Sequence, residues 1–225
     1  MKKTLLLLCT FLFIANANAQ NYSKPIAQRF NAGALFGMNL SQVNGDNSSG
    51  FNKVGLYAGL RGIAILNRSL SLNVELLYSQ KGSQLEARGT YRPNRPKEYI
   101  NLNYVEVPVL LRWKMNKNKD IFFMEGGFSF SRLISSNVVE DVQNPIYEIS
   151  YEAIRPEFVK NDFSVVGGAS MMLGERFSLI ARYTFALNFL YENPDYNLLQ
   201  LGPNEPIPVY RMRNFFISLA VGYEL

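Results

Sequence analysis

The sequence predicts an all-β protein, an eight-stranded antiparallel up-and-down transmembrane β-barrel, and three observations carry that expectation. Eight stretches alternate large apolar residues with small or polar ones, and a period of two is the signature of a strand with one apolar face. The connections between them run long, short, long, short, long, short, long, the asymmetry of an outer-membrane barrel. The last stretch, Asn214 to Leu225, ends on an amphipathic strand with no polar tail. Such a strand is safe when it pairs with the first and leaves no open edge.

The strands follow in order. Phe30 to Leu40 sets Phe30, Ala32, Ala34, Phe36, Met38 and Leu40 against Asn31, Gly33, Gly37 and Asn39. Val54 to Ile65 alternates less cleanly, with Gly55, Tyr57, Gly59 and Arg61 on its polar face. In Leu70 to Lys81, Leu70, Leu72, Val74, Leu76 and Tyr78 oppose Ser71, Asn73, Glu75, Ser79 and Lys81. Asn101 to Trp113 sets Val105, Val107, Val109, Leu111 and Trp113 against Tyr104, Glu106 and Arg112. Proline donates nothing to a strand ladder, so Pro108 predicts a local bulge. Ile121 to Ser131 puts Phe122, Met124, Phe128 and Phe130 opposite Glu125, Gly127 and Ser129. Phe163 to Leu173 is weak, interrupted by Gly167 and Gly168. Phe177 to Phe189 is strong, with Ser178, Arg182, Thr184 and Asn188 on the polar side. In the final strand Phe215, Ile217, Leu219, Val221, Tyr223 and Leu225 oppose Ser218, Ala220, Gly222 and Glu224.

Periodicity does not say which face points outward, since a soluble ligand-binding barrel turns its apolar face inward. Strands of about 11–13 residues reach across a bilayer when tilted. Aromatics near strand ends (Phe30, Tyr78, Trp113, Phe177, Phe189, Tyr223) fit interface girdles. Charges on the polar faces fit a polar lumen. All three favour the membrane barrel, with residues 82–99, 132–162 and 190–213 as loops facing outside.

Residues 1–19 read as a signal peptide: Lys2 and Lys3, an apolar run from Leu5 to Ile14, then Ala17-Asn18-Ala19, with cleavage between Ala19 and Gln20. Residues 20–225 are then the barrel domain. Cleavage removes Cys9, the single cysteine, so no disulfide is expected in the mature chain. The net charge of +5 falls to +3 with Lys2 and Lys3 gone, too mild to suggest nucleic acid. No later segment offers the ~20 unbroken apolar residues of a transmembrane helix.

Two resemblances add to this. Ser218, Ala220, Tyr223 and Leu225 resemble the C-terminal assembly signal of bacterial outer-membrane barrels, with Ala in place of the usual Gly and Leu in place of the usual Phe. The stretches 34–41 (ALFGMNLS), 75–82 (ELLYSQKG) and 102–111 (LNYVEVPVLL) resemble the PorT-type outer-membrane β-barrel family of Bacteroidetes. That resemblance implies an outer-membrane location and a small barrel, in a family some of whose members serve secretion and gliding machinery.

Arg61, Glu75, Glu106, Arg112, Glu125 and Arg182 all fall on polar faces. A poised carboxylate is a possible acid or base, but three acids matched by three arginines suit a charge network filling a narrow lumen. The chain has no histidine, which removes the usual general base of membrane hydrolases. No catalytic residue, cofactor or metal site is expected, and Asn44-Gly45-Asp46-Asn47 reads first as a turn. The loop 82–99 is basic and 132–162 acidic; pairing with each other is the plainer reading, and binding of a partner or of lipopolysaccharide the other. Prolines 194, 203, 206 and 208 stiffen the last loop without naming a ligand.

The function expected is therefore structural, anchoring or secretion-accessory, not enzymatic. A small passive pore and, less favoured, a membrane-embedded enzyme are the alternatives. The expected partners are outer-membrane lipid and lipopolysaccharide, the barrel-assembly machinery, and other envelope or secretion proteins, with no nucleic acid.

Overall fold

The computed structural model describes residues 29–45, 50–85, 98–115, 121–139, 154–193 and 210–225. The signal-peptide expectation for residues 1–19, the Ala19–Gln20 cleavage site, residues 46–49 of the first long connection, and 86–97, 140–153 and 194–209 of the other three lie outside them.

Eight long antiparallel strands close into a barrel: β1 (Phe30–Asn44), β2 (Lys53–Ile65), β3 (Leu70–Leu85), β4 (Glu98–Lys114), β5 (Phe122–Val139), β6 (Asn161–Leu173), β7 (Phe177–Ala186) and β9 (Arg211–Glu224). Each pairs with its neighbour in sequence, apart from a two-residue strand, β8 (Tyr191–Glu192), which adds to the end of β9 at Arg211 and Met212. Closure is made by β9 on β1, in register from Gly33↔Glu224 to Asn44↔Arg213. The first and last strands thus remove each other's edge, as the final amphipathic stretch required. The short turns at 66–69 and 174–176 lie at one end together with Met115 and Ile121, and the long connections leave from the other.

The alternation read from the sequence becomes inward and outward faces. The large apolar face points outward: Phe36 and Phe128 are each 67 % exposed, Leu60 65 % and Trp113 63 %. A continuous apolar belt of this size is stable only against hydrocarbon, so the structure decides what periodicity left open. On β6 a glycine takes an inward position where a bulky charged side chain crosses the lumen. A Cβ on Gly168 would lie 2.7 Å from Arg182 Cγ, so a bare backbone there makes room for that arginine.

Several boundaries move. β3 runs on past Lys81 to Leu85, β4 starts earlier at Glu98, and β5 continues past Ser131 to Val139, so this wall rises beyond the apolar belt. Gly82, which reads as a strand end in the sequence, sits inside β3 at φ +139°, with Ile100 O in the space a Cβ would take. A left-handed glycine keeps the strand going by avoiding that clash. Gly82→Ala is expected to destabilise the barrel by at least about 1–3 kcal/mol, read as a lower urea midpoint for the refolded chain.

Tyr78 is consequently not at a strand end. It closes the outward apolar run of β3, and its hydroxyl donates to Asn103 (2.9 Å). Phe189 falls beyond β7, which ends at Ala186. The bulge expected at Pro108 is absent. The β3 ladder skips Glu75 and Leu76 opposite Pro108 and Val107 but resumes in the same register, and Pro108 pairs with Ser129 of β5. A missing N–H costs a ladder bond without forcing an extra residue into the strand. The register shift instead lies at Asn103/Tyr104, where β5 accommodates Ile134.

Candidate functional site

The inward faces build a filled lumen. At its middle, Arg61 and Glu75 are direct cross-strand neighbours on β2 and β3, with Nε donating to Oε1 at 2.7 Å. Arg112 and Glu125 are likewise opposite each other on β4 and β5, at 3.8 Å. Arg182 comes from the far wall, on β7. It donates to Glu75 from Nη1 (2.7 Å) and Nη2 (2.8 Å), to Glu125 from Nε (2.9 Å) and Nη2 (2.6 Å), and to the hydroxyl of Tyr57 from Nη1 (2.9 Å). Ser170 adds a hydrogen bond to Glu125 at 3.0 Å. The carboxylates of Glu75 and Glu125 are wholly buried. Buried charges persist only when paired and hydrogen-bonded, and one guanidinium fork spanning two carboxylates supplies both.

Five of the six predicted lumen charges meet here. The sixth does not join them. Glu106 lies in a separate pair with Lys81, whose Nζ is 3.0 Å from Oε2 but off the line of a hydrogen bond. Ser129 donates to the other oxygen at 2.9 Å. Lys81 Nζ also lies 4.2 Å from the ring centre of Phe216 and 4.8 Å from that of Tyr104, so the ammonium is held by two aromatic faces as well. Glu106 therefore pairs neither with Arg112 nor with Arg182. Arg112 finds Glu224 of the last strand instead, at 2.8 Å. Lys81 and Glu224 stand on the polar faces of their alternating stretches, and that was the signal for both.

Above Lys81, toward the long-loop end, the lumen turns apolar. Val43, Ile100, Leu102, Tyr104, Val138 and Met212 line it, and Phe158, Leu190 and Tyr191 enter from the connections. The 3-10 turn Arg155–Glu157 positions Phe158, and Leu190 N donates to Met212 O. Sequence reading expected a polar lumen throughout. Leu102 and Tyr104 belong to the expected strand Asn101–Trp113; the others sit outside the expected strands, and only the fold turns them inward. At the short-turn end the lumen is open as a vestibule of about 860 Å³, lined by Asn31, Arg68, Lys114 and Glu175 and floored by the Arg112–Glu224 pair.

The four residues that resemble an assembly signal divide between the two faces. Ser218 is buried and donates to Asn39 (2.7 Å), and Ala220 packs among Leu35, Tyr57, Leu77 and Ile180. Tyr223 faces outward, stacks on Phe177 (5.2 Å) and accepts a hydrogen bond from Arg176. Leu225 is exposed, and its N–H donates to Ala32 O. Among the described residues no three His, Cys, Asp or Glu side chains come together as a metal site.

The family model described as outer membrane protein beta-barrel domain matches residues 18–192. No curated protein matches the chain. Among solved structures, the attachment invasion locus protein Ail of Yersinia pestis is similar at 12% identity, with 88% of this chain and 100% of that one covered and a TM-score of 0.46. OprG of Pseudomonas aeruginosa is similar at 9% identity, with 88% and 93% covered and a TM-score of 0.39. A designed transmembrane β-barrel gives 10% identity, 87% and 95% covered, and 0.39.

Proposed function

The chain belongs to the outer-membrane β-barrel domain family and resides in the outer membrane, and on that premise we propose that it is a filled, non-enzymatic barrel with a structural, anchoring or secretion-accessory role of the PorT type. Its first nineteen residues act as a cleaved signal peptide. Its partners are outer-membrane lipid and lipopolysaccharide, the barrel-assembly machinery, and other envelope or secretion proteins. The short turns face the periplasm and the long loops the outside.

The observation that carries the reading is the closed lumen. A vestibule ends at Arg112 and Glu224, a buried network follows, and an apolar layer closes the far side. The motifs behind the PorT-type resemblance support it from another direction. ELLYSQKG supplies Glu75, Lys81 and Gly82, and YVEVPVLLR supplies Tyr104, Glu106 and Arg112. These residues hold the interior together, so the motifs encode a packed barrel and not a ligand pocket. The Ser129–Glu106–Lys81 group is sealed beneath the apolar layer, which gives a substrate no path to it.

Refolded protein in planar bilayers is expected to leave conductance at the membrane baseline. Reproducible ohmic steps from the wild type would favour the passive pore and sink the filled-lumen reading.

A further inference from the structure

We propose that Arg132, Arg211 and Arg213 form a binding site on the lipid-facing wall for the phosphate groups of lipopolysaccharide. The proposal rests on the orientation given above, with the long loops outside.

The outward run of β5, β6, β7 and β9 closes on each strand with a phenylalanine: Phe130, Phe163, Phe185 and Phe215. The rings of Phe130 and Phe163 pack in a tilted contact, 5.1 Å between centres. The next outward position toward the loops is Arg132 on β5 and Arg213 on β9, with Arg211 two residues further. Tyr223, at the periplasmic end of β9, is ten residues from Arg213. At about 3.3 Å per residue and a tilt of about 40°, that is about 25 Å of height, the thickness of the apolar band. Arg213 therefore stands where hydrocarbon gives way to headgroups.

The arginines are held there by rings. The Arg213 guanidinium lies 4.3 Å from the Phe189 ring centre and 5.1 Å from that of Phe185. Arg211 lies 4.8 Å from Phe189 and 4.4 Å from Tyr210. Among the described residues Arg213 has no carboxylate partner, and its Nε–H is shielded from water with no acceptor. Arg211 pairs with Glu192 at 2.6 Å, but the two side chains are 40 % and 47 % exposed, so the pair is weak and exchangeable. Arg132 is exposed and donates to the amide oxygen of Asn161.

Planar forks aimed into an external headgroup layer match phosphate oxygens in geometry as well as charge. Nearer the middle of the belt, the same side of the barrel carries an apolar depression of about 950 Å³. Outward Ala169 and Ala181 leave space there beside Phe36, Met38, Leu179 and Leu219, enough to seat an acyl chain. A phosphate clamp above an acyl groove fits a phosphorylated glycolipid.

The test is the thermal shift of the refolded full barrel in micelles, titrated with phosphorylated lipid A, with lipid A stripped of phosphate, and with phosphatidylglycerol. Phosphorylated lipid A is expected to stabilise the wild type and to bind the Arg211→Gln/Arg213→Gln variant roughly tenfold or more weakly. On the wild type, stripped lipid A and phosphatidylglycerol should fall short by a similar factor, a comparison that stands even if the variant fails to refold. Equal binding by variant and wild type, or no preference for phosphorylated lipid A, overturns the site. Lost lipid preference in a non-conducting barrel sinks this site alone. A conducting wild type that keeps the preference sinks only the filled-lumen reading.

Discussion

Arg182→Ala is expected to cost the barrel about 3–5 kcal/mol, the range for breaking a buried ion pair from one side, and to abolish heat-resistant migration on gels. Among the described residues Arg182 alone bonds Glu75, Glu125 and Tyr57 together, and the carboxylates of Glu75 and Glu125 are wholly buried. Its removal leaves two carboxylates sharing Arg61, which bonds Glu75 but stands 4.0 Å from Glu125. Glu125 keeps Arg112 only at 3.8 Å. Adding Glu125→Gln rebalances the charges and should recover more than half of the loss. Lys81→Ala strands only Glu106, which retains Ser129, so its effect should be smaller. Arg112→Ala opens toward the vestibule, where water takes over part of the solvation, and should be milder again. A wild-type urea midpoint for Arg182→Ala would mean a hydrated lumen and would remove the basis for a plugged barrel.

Deleting Tyr223–Leu225 is expected to keep the chain out of the outer membrane altogether. Two physical losses coincide in that segment. The outward Tyr223 and Leu225 are the two terminal positions that resemble the assembly signal. Gly33↔Glu224 and Ala34↔Tyr223 are the short-turn end of the seam that closes the barrel, fastened by the Leu225 N–H to Ala32 O and by Glu224 on Arg112. Refolding in detergent without the assembly machinery separates the two. If recognition dominates, the truncated chain folds in micelles with reduced stability yet fails in cells. If closure dominates, it fails in both. Heat-modifiable truncated protein in the outer membrane would show that neither loss matters and that the signal lies elsewhere.

The sequence by itself determined the strand number, the phase of every strand except β6, whose alternation Gly167 and Gly168 interrupt, and the residue types on those faces. A strand's face is a local property, fixed by parity, and so Arg61, Glu75, Glu106, Arg112, Glu125 and Arg182 were all legible as one set. Parity also marked Lys81 and Glu224 as polar-face residues, without saying that either would be needed. Only the tertiary structure decided which charges meet. Arg61 with Glu75 and Arg112 with Glu125 are neighbours across a ladder, but Arg182 reaches Glu75 and Glu125 across the barrel, and Glu224 reaches Arg112 from the closing strand. Those meetings depend on how far each strand is staggered around the closed sheet, a quantity that belongs to the whole barrel and to no single stretch. The same holds for the apolar layer above Lys81. Ile100 read as just outside the strand that begins at Asn101, and Phe158 and Leu190 as loop residues. They became interior because β3, β4 and β5 extend past the membrane and enclose a space that hydrophobic side chains must fill.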